Sequence, residues 1–163
     1  MARRGLTRRE WGILGGLVAG LFVVMQLLPV GAPRDNPPVV AEPAWDSPRT
    51  RELFHRTCGD CHSNRTVWPW YSRVAPVSWL VASDVANGRR HLNVSEWQLP
   101  QRHADEAAEE LREGEMPLPI YLVAHPEARL GETEKAELLA GLEATFGVRQ
   151  RDDGGRRRGR GGR

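Results

Sequence analysis

Five consecutive residues, Cys58-Gly59-Asp60-Cys61-His62, carry the most reactive side chains of this 163-residue chain and hold its only two cysteines. The pattern C-x-x-C-H is the attachment signature of c-type haem. Two thiols three positions apart span about one helical turn, so each can form a thioether with one vinyl group of the porphyrin. The histidine that follows then directs its imidazole at the iron as proximal ligand. A thioredoxin-like dithiol would use the same C-x-x-C, but beside a βαβ pattern that this sequence lacks. A structural disulfide and a zinc site completed by other histidines are the remaining alternatives. Two cysteines are too few for a four-cysteine zinc site or a multi-disulfide scaffold.

The sixth position of a haem iron needs a ligand or stays open, and elimination narrows the choice. Met1 is the initiator and Met25 lies in an apolar N-terminal run, which leaves Met116. It follows His62 by 54 residues, in Gly114-Glu115-Met116-Pro117-Leu118-Pro119, where the prolines stiffen the loop. The bland role for such a methionine is filling a gap in the core. His91 and His125 are the alternative sixth ligands, whereas His55 and His103 read as packed or surface residues. The choice bears on mechanism: His/Met ligation raises the potential, bis-His lowers it, and an open position binds small ligands. The aromatic set Trp68, Trp70, Tyr71 and Trp79, with Trp97 further on, reads first as core. Some of its members are candidates to wall the haem edge, and Arg65, Arg73, Arg89 and Arg90 to pair with the propionates. His62 should donate its second ring nitrogen to a backbone carbonyl, with residues near Pro69 or Pro76 as candidate acceptors. Six acids between Asp105 and Glu115, against Arg112 alone, read as a solvated helix face or as a negative patch for a basic redox partner.

The elements that would position these residues are helical. Ser47-Pro48 reads as an N-cap and first turn leading into Cys58. A second helix is expected over 76–87, closed by Gly88, and a third over 103–113, followed by Gly114. A fourth runs over 132–146 and ends at Gly147. Ser95-Glu96-Trp97-Gln98 fits a capping box. Strand signals are weak, so the domain, residues 44–148, is expected to be all-α with long loops.

Ahead of it, Arg3, Arg4, Arg8 and Arg9 precede an apolar run over 11–28 whose one polar side chain is Gln26. Eighteen helical residues span roughly 27 Å, close to the hydrocarbon thickness of a bilayer. This favours an uncleaved anchor over a signal peptide, with residues 1–10 in the cytoplasm and the rest outside. Five prolines over 29–43 suggest an extended linker that lifts the domain off the membrane. Residues 149–163 form an Arg/Gly tail expected to be disordered.

Net charge is +2, and it is unevenly spread. Residues 1–10 carry +3 and residues 149–163 carry +5, which leaves −6 on 11–148. A nucleic-acid-binding core is therefore not expected. Arginine supplies 22 of the 23 basic residues, a bias that weakens any argument from a single arginine.

Several blocks occur together in order: Cys58-x-x-Cys61-His62-Ser63, Trp68-Pro69-Trp70-Tyr71, Pro76-Val77-Ser78-Trp79, Asp84-Val85 with Gly88-Arg89, Asn93-Val94-Ser95-Glu96-Trp97, Met116-Pro117 with Tyr121, and His125-Pro126. This set, over about residues 45–147, resembles the bacterial haem-binding domain family of small exported proteins with one c-type haem site. The resemblance implies covalent haem through Cys58 and Cys61 with His62 on the iron, and supports Met116 less firmly. A cytochrome-c-like arrangement, with the helix before Cys58 crossing the one over 132–146, is expected by analogy. The leading expectation is a non-enzymatic carrier of single electrons with one haem c. It would be held by a single pass in the bacterial inner membrane, face the periplasm and serve an unidentified redox partner. Alternatives are a haem-based sensor with an open or displaceable sixth position, a small peroxidase, and a haem-free dithiol protein.

Overall fold

The computed structural model describes residues 7–148; the expected tail over 149–163 and the first six residues lie outside it. Helix α1, Arg8–Leu27, opens with a reciprocal cap in which Thr7 and Glu10 satisfy each other's backbone N–H groups. Its side chains are exposed apart from a half-buried Met25. It is long and apolar enough to cross a membrane.

Helix α2, Pro48–Thr57, starts as its sequence dictates, with the Ser47 hydroxyl accepting from the Thr50 N–H and proline in the first turn. A single turn, α3, Gly59–His62, follows at once. A 3₁₀ turn at Trp70–Arg73 leads into α4, Val77–His91. After a second 3₁₀ turn at Ala104–Glu106, α5 spans Ala107–Glu113 and ends on Gly114, whose φ of 80° is left-handed. A short α6, Pro119–Ala124, and a last 3₁₀ turn precede α7, Glu132–Phe146, which stops at Gly147. The chain is all-helical; among the described residues the one β-type pairing is an isolated bridge between Ala41 and Glu96.

The core joins α2, α5 and α7: Leu53 and Phe54 meet Ala108, Leu111, Leu138 and Leu142, with Leu92 and Val94 closing one side. Helix α2 packs on α7 where Gly141 faces Thr50, and a methyl group at Gly141 would collide with the Thr50 side chain. Trp45, Phe54 and Phe146 form a tilted cluster, and Trp97 stacks on Phe146 at 5.1 Å. Trp97 is thus a core residue.

Three expectations need correction. Gly88 does not close its helix, which continues to His91, because Gly88 is there to let α4 approach Cys61. A Cβ at position 88 would stand 2.5 Å from the Cys61 carbonyl oxygen. Ser95 caps no helix: its buried hydroxyl accepts from the Asn64 N–H, and Asn93 Oδ1 accepts from the Ser95 N–H. The segment over 29–43 is a strap along the domain and not a free spacer. The Val40 and Ala41 N–H groups donate to the Ser95 carbonyl, the Pro38 carbonyl accepts from Asn64, and Glu42 takes a two-pronged hydrogen bond from Arg51.

Candidate functional site

The Cys58–His62 segment is one tight turn because three backbone bonds close it. The Cys58 N–H donates to the Phe54 carbonyl, ending α2, and the Cys61 and His62 N–H groups both donate to the Cys58 carbonyl. The Ser63 hydroxyl then donates to the Gly59 carbonyl at 2.6 Å, and the Thr66 hydroxyl to the Asp60 carbonyl at 2.6 Å, fixing the exit. Within this turn the Asp60 carboxylate accepts from the Val67 N–H on one oxygen and from the Tyr121 hydroxyl on the other, both at 2.8 Å. One side chain therefore ties α3 to α6.

His62 Nδ1 stands 3.0 Å from the Leu92 carbonyl oxygen. A carbonyl only accepts, so Nδ1 carries the proton and Nε2 keeps its lone pair. Burial holds the imidazole below its ordinary pKa and so in the neutral form a metal requires. The expectation of a backbone carbonyl partner holds, but neither Pro69 nor Pro76 has a neighbour in that role; Leu92, at the end of α4, does. Burial also pushes the Cys58 thiol up to about 12 and, with help from Asp60, Cys61 up to about 11. A reactive redox dithiol needs the opposite shift.

The turn faces a cavity of about 450 Å³. That lies within the 300–1,000 Å³ typical of cofactor and ligand sites. Its wall includes Cys58, Cys61, His62 and Met116, so four residues spread over 59 positions of sequence meet around one space. Phe54, Leu92, Leu111, Leu118 and Leu142 line it with hydrocarbon. The Thr57 hydroxyl on the same wall is buried without a hydrogen-bond partner. Size, an apolar lining, two thiols and a neutral imidazole suit a large, flat, mostly apolar group that carries a metal.

The other sequence candidates divide. His91 lines the cavity, its Nδ1 donating to the Asn87 carbonyl, and so does His103, whose ring centre is 5.3 Å from that of His91. His125 lies outside the lining, with both ring nitrogens engaged. Glu127 accepts from Nδ1 at 3.0 Å, and the Tyr71 hydroxyl donates to Nε2 at 2.7 Å. The ring stacks on Tyr121 at 4.2 Å. Tyr71 thus reaches the cavity wall only through His125 and Tyr121. Trp68 binds Asn36 through its indole N–H, Trp70 is exposed, and Trp79 packs against the segment after α1. Arg89 donates to the Ser63 and Asp35 carbonyls, Asn36 and Thr66, stapling the strap to the turn. None of Trp68, Trp70, Trp79 and Arg89 lines the cavity.

Sequence reasoning missed Tyr121, Asp60, Asp84 and Gly88 as cavity residues. A signal existed for Gly88, a glycine inside an otherwise helical stretch, which often marks a close approach. For Tyr121 the signal was its place beside Met116-Pro117 in the blocks that carry the family resemblance, while its partner Asp60, 61 residues away, could not be read.

No curated protein and no solved structure matches the chain. A family model described as a haem-binding domain matches residues 20–144. The match takes in the last turns of α1, the strap, and every element up to α7.

Proposed function

The chain belongs to the haem-binding domain family, and we propose that it holds its haem as haem c and passes single electrons. Cys58 and Cys61 would form the two thioethers, His62 would be the proximal ligand through Nε2, and Met116 the sixth ligand. The observation that carries this reading is the convergence of these four residues on one cavity. When bound, haem supplies a reversible one-electron couple at its iron. The chain's own residues then have plain tasks. The Leu92 carbonyl fixes the His62 ring and its tautomer. Gly88 lets α4 close against the thiol-bearing turn. The hydrocarbon wall from Phe54 to Leu142 excludes water, and the Tyr121–Asp60 bond holds the Met116 side of the wall against α3. The basic residues ahead of α1 and its length support a single pass with the haem domain on the outer, periplasmic side.

The experiment is purification of the full chain from cells able to attach haem, followed by denaturation and extraction of free haem into acidified organic solvent. Haem remaining on the polypeptide by intact mass, and freed in the Cys58→Ser/Cys61→Ser variant, supports covalent attachment. Complete extraction from the wild-type chain contradicts it.

A second reading has its own observation. Met116 is 36% exposed, and His91 and His103 share the cavity. A weakly held sixth ligand of this kind suits a small-ligand sensor, which rapid carbon monoxide binding to the reduced protein would reveal.

A further inference from the structure

Where α1 ends, the domain begins without a gap. Gln26, one residue before the helix terminus, makes a reciprocal pair with the backbone of Ala75: its Nε2 donates to the Ala75 carbonyl at 3.2 Å, and its Oε1 accepts from the Ala75 N–H at 3.0 Å. Ala75 is 4% exposed, so the pair fastens the exposed end of α1 to a buried residue of the domain. Gly31 continues the contact, its backbone lying against Trp79 and Ala82 of α4.

This attachment limits how far α4 can stand from a bilayer. Gln26 sits near the outer end of the apolar stretch of α1, residues 11–27, which at 1.5 Å per residue is about 26 Å long, close to the thickness of the hydrocarbon layer. The headgroup layer beyond it is about 5–8 Å deep on each side. Val77 and Leu80 follow Ala75 by two and five residues and share one face of α4, about 4.5 Å apart along the helix. Both therefore follow closely on the point where α1 meets the domain. Both are apolar and exposed, at 45% and 50%. Arg34 and Arg73, exposed and basic, line the small cleft between α1 and this end of the domain. Exposed apolar side chains and arginines close to the end of α1 fit a lipid surface with anionic headgroups.

We propose that the α4 end of the domain, through Val77, Leu80, Arg34 and Arg73, rests on the bilayer, so that the domain is seated on lipid and does not swing on a tether. The inference rests on the reading of α1 as a retained anchor.

The test uses the full chain in phosphatidylethanolamine–phosphatidylglycerol vesicles, with the photo-crosslinking residue p-benzoylphenylalanine at position 77, 80 or 140. Position 140 is exposed on α7, whose main helix contacts are with α2 and α5. Lipid adducts at 77 and 80 at least about tenfold above those at 140, and falling toward that level in Gln26→Leu, are expected. Equal yields at the three positions, or crosslinks at 77 and 80 to protein alone, overturn the proposal. Intact mass distinguishes the remaining failure: a purified chain lacking α1 overturns the anchor reading itself, and with it the seat.

Discussion

On one side of the cavity Cys58, Cys61 and His62 sit in a turn closed by backbone bonds, backed by α4 through Gly88 and by the Leu92 carbonyl. Met116, also in the cavity lining, follows α5, its N–H donating to the Glu110 carbonyl at 3.2 Å, with 36% of the residue exposed. The loop that carries it is held across the cavity by the Tyr121–Asp60 bond. In the proposed reading, a rigid segment paired with a looser one would keep the proximal geometry fixed while letting the sixth ligand set the potential or give way.

The largest effect expected from breaking this contrast is at the rigid wall. Gly88→Ala puts a methyl group into the Cys61 backbone, which cannot retreat as a flexible side chain would. It should cost about 3 kcal/mol of unfolding free energy in urea titration. On the looser wall Gly114→Ala meets no neighbouring atom, and its φ of 80° is the whole penalty. About 1 kcal/mol is expected there. Equal losses at the two glycines would remove the distinction.

A pH effect should come from the strap, which backs the rigid side. Glu42 accepts from Arg51, Trp45 and Arg65 and is 17% exposed. The Arg51 hydrogen bonds hold its carboxyl at about 2, below the ordinary 4.5. A lowered folded-state pKa means that this stabilisation is complete above pH 4.5 and is lost as pH falls toward 2. Glu42→Gln should therefore lower stability by about 1–2 kcal/mol at neutral pH and by nearly nothing near the acid end. A loss that is constant with pH would show that packing, and not charge, is the cause.

An effect as small as that of Gly114→Ala is expected at the Tyr121–Asp60 bridge. Tyr121→Phe keeps the ring on His125 and removes the donor to Asp60, at a cost of about 1 kcal/mol. Hydrogen exchange should rise in α6 and stay unchanged in α3. A matching rise in α3 would mean that the thiol-bearing turn depends on the bridge.

What could be read from the sequence follows the range of the interactions involved. Ser47-Pro48, Gly114 and Gly147 bound helices through bonds within a few residues, and each does so where the sequence places it. The C-x-x-C-H turn was legible for the same reason. Ser95 carries an equally good local capping pattern, yet its hydroxyl serves Asn64, 31 residues away, and no helix forms. The proline-rich segment reads as a spacer because its partners, Ser95, Asn64 and Arg51, are remote in sequence. Met116 was reachable by elimination, which needs no geometry. An arginine-rich chain offers many candidates for a propionate, and Arg89 bonds the Ser63 carbonyl and the strap.

The axial pair is the central claim, and the optical spectrum of the oxidised full chain tests it most directly, compared with Met116→Ala and His91→Ala. The account predicts a low-spin spectrum with a methionine-to-iron charge-transfer band that is lost in Met116→Ala, with haem still attached, and retained in His91→Ala. A low-spin spectrum unchanged by Met116→Ala but converted to high spin by His91→Ala would contradict it and give the sixth position to His91.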